Sequence, residues 1–280
     1  HQFSSIPPDI MQIRKAVIPA AGMGTRFLPV TMSVPKELLP IIDRPLLQYV
    51  IAEAVEAGVE EITIVTSPGK ELISEYFQPR PALEKRLAAA GKDQLLAKVT
   101  EAANLAKINF VLQHEALGLG HAVLMAREEV GDEPFAVLLP DDVIRSEGTT
   151  TGAMIELHRQ RAANIMAVRH VPDSMVPKLG IVSASPIADR QFRVAGMVEK
   201  PALADAPSNL AIIGRYVLVP EVFEALEKVT PGAIGEIQLT DAIAALIDDP
   251  GVYAYEFPGD HFDVGTPLGM LKAPVHAALR

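Results

Sequence analysis

The chain has 280 residues, and 49% of them are hydrophobic, which is enough to bury one core of ordinary density. Its formal net charge of −10 disfavours broad contact with nucleic acids or anionic membranes, and no apolar run approaches the roughly 20 residues that span a bilayer. The chain has no cysteine, which excludes disulfides, thiolate chemistry and cysteine-based zinc sites. We therefore expect a cytoplasmic protein with no nucleic-acid or membrane partner, in which any metal ion is held by oxygen or imidazole.

The first half of the chain alternates short aliphatic runs with helical patterns. Residues 1–10 are interpreted as a leader or a cloning remnant, because their turn-rich end precedes MQIRKAVIP. The strand-like runs are KAVIPA, EITIVTS, INFVLQ and PFAVLLP. A helix is predicted in RPLLQYVIAEAVEAGVE, with Pro45 in its first turn and Gly58 at its end. This alternation predicts right-handed βαβ units and a largely parallel sheet.

After Asn164 the pattern changes to successive strands. The runs are NIMAVRHV, GIVSAS, FRVAGMVEK and LAIIGRYVLV, which predict antiparallel strands added to the same sheet or crossing it. They are followed by two helical patterns, PEVFEALEKV and IQLTDAIAALIDD, by the strand-like VYAYEFPG, and by a last helix from about Pro267. The sequence thus predicts a single α/β domain, with a Rossmann-like, mixed and mainly parallel sheet that is flanked by helices.

The turn after the first strand has the composition of an anion site. Gly22 and Gly24 allow backbone N–H groups to approach a bound anion. The third glycine of a dinucleotide fingerprint is replaced by Phe27, and no Gly-Lys-Ser/Thr follows, which argues against NAD and against a P-loop. Arg26 and Lys36 suit a triphosphate that is bound without either motif. The glycine pair alone more often marks a plain turn whose cations are solvated.

Carboxylates follow two of the predicted strands. Asp141 and Asp142 end the run FAVLLPDD, and Asp263 lies at the end of another strand pattern in HFDVGTP. Ligands of open α/β sheets bind beyond the carboxyl ends of strands. Separated carboxylates together with phosphate oxygens form a site suited to Mg²⁺. The adjacent pair is also compatible with turn formers that bond their own backbone.

Seven stretches of the sequence occur in the order of one known family. They are AAGMGTRFLPVTMSVPKELLPI, QHEALGLGHAVLMA, LLPDD, MVEKP, APSNLAIIGRYVL, GEIQLTDAI and FDVGTPLG. Together they resemble the sugar-1-phosphate nucleotidylyltransferases, most closely the bacterial branch that joins UTP to glucose-1-phosphate, and the likeness extends from about Lys15 to the last helix. The resemblance implies the nucleotide-diphospho-sugar transferase fold, a Mg²⁺ cofactor, UTP and glucose-1-phosphate as substrates, and a homodimer or homotetramer.

The resemblance also divides the chain and assigns its residues. Within a domain over 11–280, residues 11–163 would mainly bind nucleotide, residues 164–265 would mainly bind sugar phosphate, and residues 266–280 would form the C-terminal helix. The catalytic residues would be Arg26, Lys36 and Lys200, and the metal ligands Asp141 and Asp263, with Asp142 a weaker candidate. The nucleotide would contact Ala20, Ala21, Gly22, Gly24, Thr25, Gln113 and Gly118, and the sugar would contact Gly180, Glu199 and Asn209. His121 is interpreted as a structural residue.

The resemblance implies an in-line attack by the sugar phosphate on the α-phosphorus of UTP, which gives UDP-glucose and pyrophosphate. Two alternatives remain open at this point. One is a related transferase that uses dTTP, ATP or CTP, or another sugar phosphate, although LGLGHAV and GEIQLTDA favour the uridylyl branch. The other is a non-catalytic regulatory member of the fold, which would be expected to lose an acid or a lysine that this chain retains.

Overall fold

The computed structural model describes residues 12–231 and 235–279, so the predicted leader lies outside the described residues. The described strands are β1 (Lys15–Pro19), β2 (Pro40–Ile41), β3 (Arg44–Pro45), β4 (Glu61–Thr66), β5 (Lys107–Leu112), β6 (Phe135–Leu138), β7 (Asp142–Arg145), β8 (Asn164–His170), β9 (Gly180–Ala188), β10 (Gln191–Glu199), β11 (Leu210–Leu218), β12 (Val252–Glu256) and β13 (Asp260–Asp263).

The described α-helices are α1 (Leu46–Glu56), α2 (Glu71–Tyr76), α3 (Pro81–Ala89), α4 (Asp93–Asn104), α5 (Leu119–Met125), α6 (Arg127–Val130), α7 (Thr150–Arg161), α8 (Glu221–Lys228), α9 (Leu239–Ala244) and α10 (Pro267–Ala278). Among them, none combines the length and the apolar composition that a bilayer span requires.

Nine strands form one sheet in the order β5-β4-β1-β6-β11-β8-β12-β10-β9. The first four are parallel to one another, which confirms the βαβ pattern that the first half of the chain predicts. β11 enters antiparallel between β6 and β8, and β10 pairs antiparallel with β12 and β9. The later strands therefore extend the same sheet, with one parallel exception, β12 against β8. Since β6 pairs with β11, the two predicted halves of the chain share one sheet.

Helices cover both faces of this sheet. Val17 packs in a cluster with residues of α5, α8 and α9, whereas its neighbours Ala16 and Ile18 pack in a second cluster with α1 and α7. Successive side chains of a strand point to opposite faces, so a strand buried on both faces must be apolar at every position. This explains why the central strands appear as unbroken aliphatic runs in the sequence.

Two helix boundaries differ from the sequence-based expectation. Pro45 does not lie in the first turn of α1, because it is extended and pairs with Pro40 in the β2–β3 hairpin. The helix begins one residue later and ends before Gly58, whose positive φ matches the predicted stop. α9 ends at Ala244, earlier than its pattern predicted, and further along the chain Asp249 is extended immediately before a proline.

A buried ion pair joins α1 to β11. Arg215 is 1% exposed, and its Nε and Nη2 atoms lie 3.1 and 2.8 Å from Oε2 of Glu53. Its remaining donors reach the carbonyl oxygens of Leu139, Asp142 and Gly214. All five N–H groups of the guanidinium therefore have acceptors. Burial works against the charge of Glu53, but Arg215 and a hydrogen bond from Thr151 together hold the pKa of that carboxyl below its usual value.

We expect Glu53→Gln to lower the free energy of unfolding by about 3 kcal/mol, because it leaves a buried guanidinium without its counter-charge. Urea unfolding followed by circular dichroism measures this loss. The matched control is Asp43→Asn, which removes a carboxylate from an exposed pair with Lys98 and should cost far less. Equal losses of unfolding free energy in the two variants would show that the buried ion pair stabilises the protein no more than an exposed pair does.

Candidate active site

The glycine turn, residues 20–25, leads from β1 into a series of 3-10 turns rather than into an α-helix. Gly24 has a φ of 65°, and a β-carbon there would lie 3.0 Å from the side chain of Thr31. The hydroxyl of Thr31 donates to the carbonyl of Gly24. The turn is thus folded against the segment that carries Lys36, and glycine is needed at position 24 for both its conformation and its close contact.

A cavity of about 340 Å³ lies beside this turn. Six of the predicted site residues line it: Ala21, Gly22, Lys36, Gln113, Gly118 and Asp141. Ala20 is not among the lining residues, because its N–H donates to Val65 and its carbonyl accepts from Lys70. The structure therefore gathers most of the predicted nucleotide contacts around one cavity, and its size lies within the range of small-molecule sites.

The wall opposite the glycine turn is built by two motifs that are far apart in sequence. Gly118 has a φ of 92°, and a β-carbon there would lie 2.8 Å from Glu236, which also lines the cavity. The N–H of Gly120 donates to the carbonyl of Ile237, and the N–H of Ile237 donates to Leu117. The stretches LGLGHAV and GEIQLTDA thus form one wall, in which glycine permits the close approach.

Gln113 is oriented by its neighbours in this wall. Its side-chain nitrogen donates to the carbonyl of Gly118 at 3.2 Å and lies 2.9 Å from Nδ1 of His121. An amide nitrogen can only donate, so Nδ1 of His121 is the acceptor. His121 therefore helps to fix the amide of Gln113, in agreement with the structural role expected from the sequence.

The three predicted acids converge where β7 and β13 pair, since Asp142 and Asp263 are partners in register. Both carboxylate oxygens of Asp141 contact the ammonium of Lys36. Gly265 separates Asp141 from Asp263: a β-carbon on it would lie 2.9 Å from Oδ2 of the first and 3.0 Å from Oδ1 of the second. The two oxygens thus flank one point that a larger residue at position 265 would occupy. Arg26 lies at the same place, with Nη1 3.4 Å from the carbonyl of Gly265.

The two neighbouring acids have different surroundings. Oδ1 of Asp142 accepts from His261 at 2.5 Å, and Oδ2 accepts from the N–H of Gly214. Burial opposes its charge, but these bonds, together with the charges of His261 and Arg215, lower its pKa. For Asp263, burial and the charges of Asp142 and Asp141 raise the pKa, against the opposing effect of a hydrogen bond from Gly265 and the charge of Arg26. Asp142 therefore fastens the loop, whereas Asp263 has no cationic side chain in direct contact among the described residues.

The predicted sugar contacts lie where β10 ends beside the start of β9. Gly180 is the register partner of Glu199, and a β-carbon on it would lie 3.1 Å from Oε2 of that glutamate. The hydroxyl of Thr240 donates to the same oxygen at 2.8 Å. Lys200 follows with a φ of 48°, and its half-exposed ammonium lies 3.5 Å from Oε1 of Glu199. Glycine at position 180 thus leaves room for a fixed carboxylate.

The structure brings the two groups of predicted residues toward each other. A bridge between Ala211 and Ile181 connects β11 to β9, so the last strands of the sheet curl back over its centre. Burial raises the pKa of Tyr216, and the charges of Glu199 and Asp142 raise it further, which shows that both carboxylates lie near this side chain. Asn209 is less closely joined: its amide donates to the carbonyl of Val171, and no hydrogen bond among the described residues connects it to Glu199 or Lys200.

Sequence reasoning missed several residues of this site. Lys70 and Glu37 form a buried pair next to the glycine turn, Glu37 and Glu236 line the cavity, and Thr240 holds the carboxylate of Glu199. A signal existed for Lys70, because it follows β4, the strand beside β1.

Across residues 12–231 and 235–279, no three His, Asp or Glu side chains are grouped as metal ligands. A larger cavity of about 670 Å³ lies between α1 and the β7–β13 pair and contains none of the predicted residues.

The sheet order, the glycine turn and the acids beyond β6 and β13 define a protein that handles nucleoside phosphates. A family model described as nucleotidyl transferase matches residues 15–278, and the chain belongs to this family. Over 269 residues the chain is 48% identical to the UTP--glucose-1-phosphate uridylyltransferase of Bacillus subtilis (strain 168). The matched residues cover 96% of this chain and 92% of the relative. The resemblance inferred from the seven motifs is thereby confirmed.

Two solved structures are similar over the same extent. The UTP-bound UGPase from Acinetobacter baumannii is 44% identical, with a TM-score of 0.88, over 96% of this chain and 94% of its own. A UDP-glucose pyrophosphorylase complexed with UDP-glucose is 37% identical, with a TM-score of 0.86, over 96% of this chain and all of its own. The predicted fold class is thus confirmed.

Proposed function

We propose that this protein transfers the uridylyl group of UTP to glucose-1-phosphate and releases pyrophosphate. The observation that carries the proposal is the cavity at which the glycine turn, Gln113, Gly118, Lys36 and Asp141 meet, next to Asp263. Its supporting findings are a curated relative of that name at 48% identity and a similar structure with UTP bound. The side-chain nitrogen of Gln113 is engaged by Gly118 and His121, so its side-chain oxygen is left to accept a hydrogen bond from the ring N–H of uracil.

The reaction needs charge stabilisation rather than proton transfer. The phosphate of a sugar-1-phosphate is anionic near neutral pH, so it attacks the α-phosphorus without a general base. The barrier then lies in bringing two anions together and in stabilising charge on the transferring group and on pyrophosphate. Arg26, Lys36 and Lys200 supply positive charge in a protein whose net charge is −10. The phosphates of UTP would replace Asp141 as the partner of Lys36, which is 15% exposed and therefore accessible.

The donor set beside Gly265 fits Mg²⁺. Asp141 and Asp263 present carboxylate oxygens to one point, and the raised pKa of Asp263 reflects burial and repulsion by like charges, which a cation relieves. Magnesium takes few protein ligands and completes its shell with water and phosphate oxygens. When bound, it would neutralise charge on the phosphates of UTP.

The remaining assignments follow the same geometry. Glu199, held by Thr240, would accept hydrogen bonds from sugar hydroxyls, and Gly180 would leave room for the sugar. Lys200 would face the sugar phosphate, and Asn209 is proposed as a further sugar contact. A homodimer or homotetramer and a cytoplasmic location are also proposed. Exposed apolar side chains on and just after α10, at Leu268, Leu271, Val275 and Leu279, support self-association.

Pyrophosphate release from UTP, glucose-1-phosphate and Mg²⁺ tests the proposed function, with dTTP, ATP, CTP and GTP measured alongside. We expect release with UTP and little with the others. Preference for another nucleotide would assign the chain to a related transferase. Absence of release with every pair, from folded protein, would favour a regulatory role.

Replacement of Lys200 by alanine should lower kcat by about 100-fold or more, because its ammonium would stabilise charge on the reacting phosphates. Steady-state kinetics measure the effect, and circular dichroism checks the fold. The control is Lys228→Ala on α8, an exposed lysine outside both groups of predicted residues. Near-normal turnover in the Lys200 variant would exclude this role.

The variant Asp263→Asn should raise the Mg²⁺ concentration for half-maximal activity by about tenfold, since it removes a charged oxygen ligand. Titration of activity with MgCl₂ at saturating substrates measures the shift. Asp189→Asn provides a control, because that carboxylate is exposed in the turn between β9 and β10. A metal titration that superimposes on the wild type would show that Asp263 is not a ligand.

A further inference from the structure

We propose that Lys70 is a positioning residue for nucleotide binding: with Glu37, it forms a buried clamp that turns the N–H groups of the glycine turn toward UTP. This proposal rests on the proposed function and adds two residues to its nucleotide site. In the Lys70–Glu37 clamp, Lys70 lies behind the glycine turn and is not among the residues that line the cavity, whereas Glu37 is one of them.

The ammonium of Lys70 has two hydrogen-bond acceptors and one ion-pair partner. Its Nζ donates to the carbonyl oxygen of Ala20 at 2.5 Å and to that of Gly22 at 2.8 Å, and it lies 2.8 Å from Oε2 of Glu37. The side chain of Lys70 is 11% exposed, and that of Glu37 is fully buried. A lysine of this kind cannot act as a movable surface charge, because two carbonyl groups and a buried carboxylate hold its head group.

The orientation of the turn follows from these contacts. In a trans peptide the C=O and N–H bonds point in opposite directions. Because the carbonyl groups of Ala20 and Gly22 point to Lys70, the N–H groups of Ala21 and Met23 point away from it. Both residues line the cavity, and neither N–H has a hydrogen-bond acceptor among the described residues. Two free backbone donors thus face the space in which an anion would bind.

The partner glutamate explains how a cation is tolerated here. Burial lowers the pKa of Lys70, whereas Glu37 opposes that effect, and burial raises the pKa of Glu37 against the opposing charges of Lys70 and Lys36. The clamp therefore adds little net charge to the site. Removal of the lysine alone has two consequences, a free turn and an unpaired buried carboxylate, and the experiment must separate them.

Four proteins separate these effects. Lys70→Met removes the clamp and leaves Glu37 unpaired. Glu37→Gln combined with Lys70→Met also removes the buried charge, so it should recover stability without restoring donors to the turn. Lys70→Cys, alkylated with 2-bromoethylamine, restores an ammonium of nearly the same reach, and the reaction is site-specific because the chain has no other cysteine. Lys98→Met is the control, since it breaks an exposed lysine–carboxylate pair.

Two measurements are made on each protein. Amide hydrogen exchange in the absence of nucleotide reports the order of residues 20–25, and calorimetry with UTP reports its Kd. We expect exchange at the turn to be about tenfold faster, and UTP binding about tenfold weaker, in both Lys70→Met proteins. The alkylated protein should return both values to within about threefold of the wild type, and Lys98→Met should change neither by more than about twofold.

Unchanged exchange at the turn, or faster exchange with unchanged UTP binding, would overturn the proposal. It would also be overturned if the double variant bound UTP normally, because the defect would then arise from the unpaired glutamate. Failure of the wild type to bind UTP would instead contradict the proposed function. In that case the exchange data still decide whether Lys70 holds the turn.

Discussion

The candidate site depends on one buried guanidinium. Arg215 uses its five N–H groups on the carboxylate of Glu53 and on three carbonyl groups, one of which, that of Leu139, belongs to the loop between β6 and β7, and another, that of Asp142, to the first residue of β7. That loop ends with Asp141, and Asp142 follows it. Loops ordinarily have few internal constraints, but here the backbone on both sides of Asp141 is held by hydrogen bonds from a side chain that cannot move without exposing a charge to the core. The helix α1, the sheet and the acids therefore share one fixed frame.

Within that frame, the protein places like charges close together and gives each a different environment. Asp141 has the ammonium of Lys36, and Asp142 has His261 and a backbone N–H. Asp263 has a backbone N–H but, within the part of the chain that the structure describes, no cation in direct contact. Three carboxylates in identical surroundings would titrate as a group of competing sites. Here the neighbours lower the pKa of Asp142 and raise that of Asp263. The difference leaves one acid structural and another suited to a bound cation.

Much of this arrangement could be predicted from the sequence, and the exceptions have physical causes. Periodicity identified the parallel half of the sheet, because strands buried on both faces are apolar throughout. The sequence pattern cannot distinguish the role of Asp142 from that of its neighbour Asp141, because the contact that holds Asp142 comes from His261, which lies 119 positions away. Proline is favoured in the first turn of a helix, so the sequence predicts a helical Pro45, but pairing with Pro40 in a two-stranded hairpin keeps this residue extended. The partners of Lys70 lie 33 to 50 positions away, so local spacing could not reveal them.

The lysines of the site follow a common rule. Lys36, Lys70 and Lys200 are each paired with a carboxylate, so an acidic protein stores its positive charge in neutral pairs. The pairs differ in exposure: the lysine side chain is 52% exposed at position 200, 15% at position 36 and 11% at position 70, where the partner carboxylate is completely buried. Desolvation makes exchange of a buried partner costly, whereas an open pair exchanges its carboxylate for a phosphate at little cost. The same ion pair therefore serves as a fixed support behind the glycine turn and as an exchangeable contact in front of it.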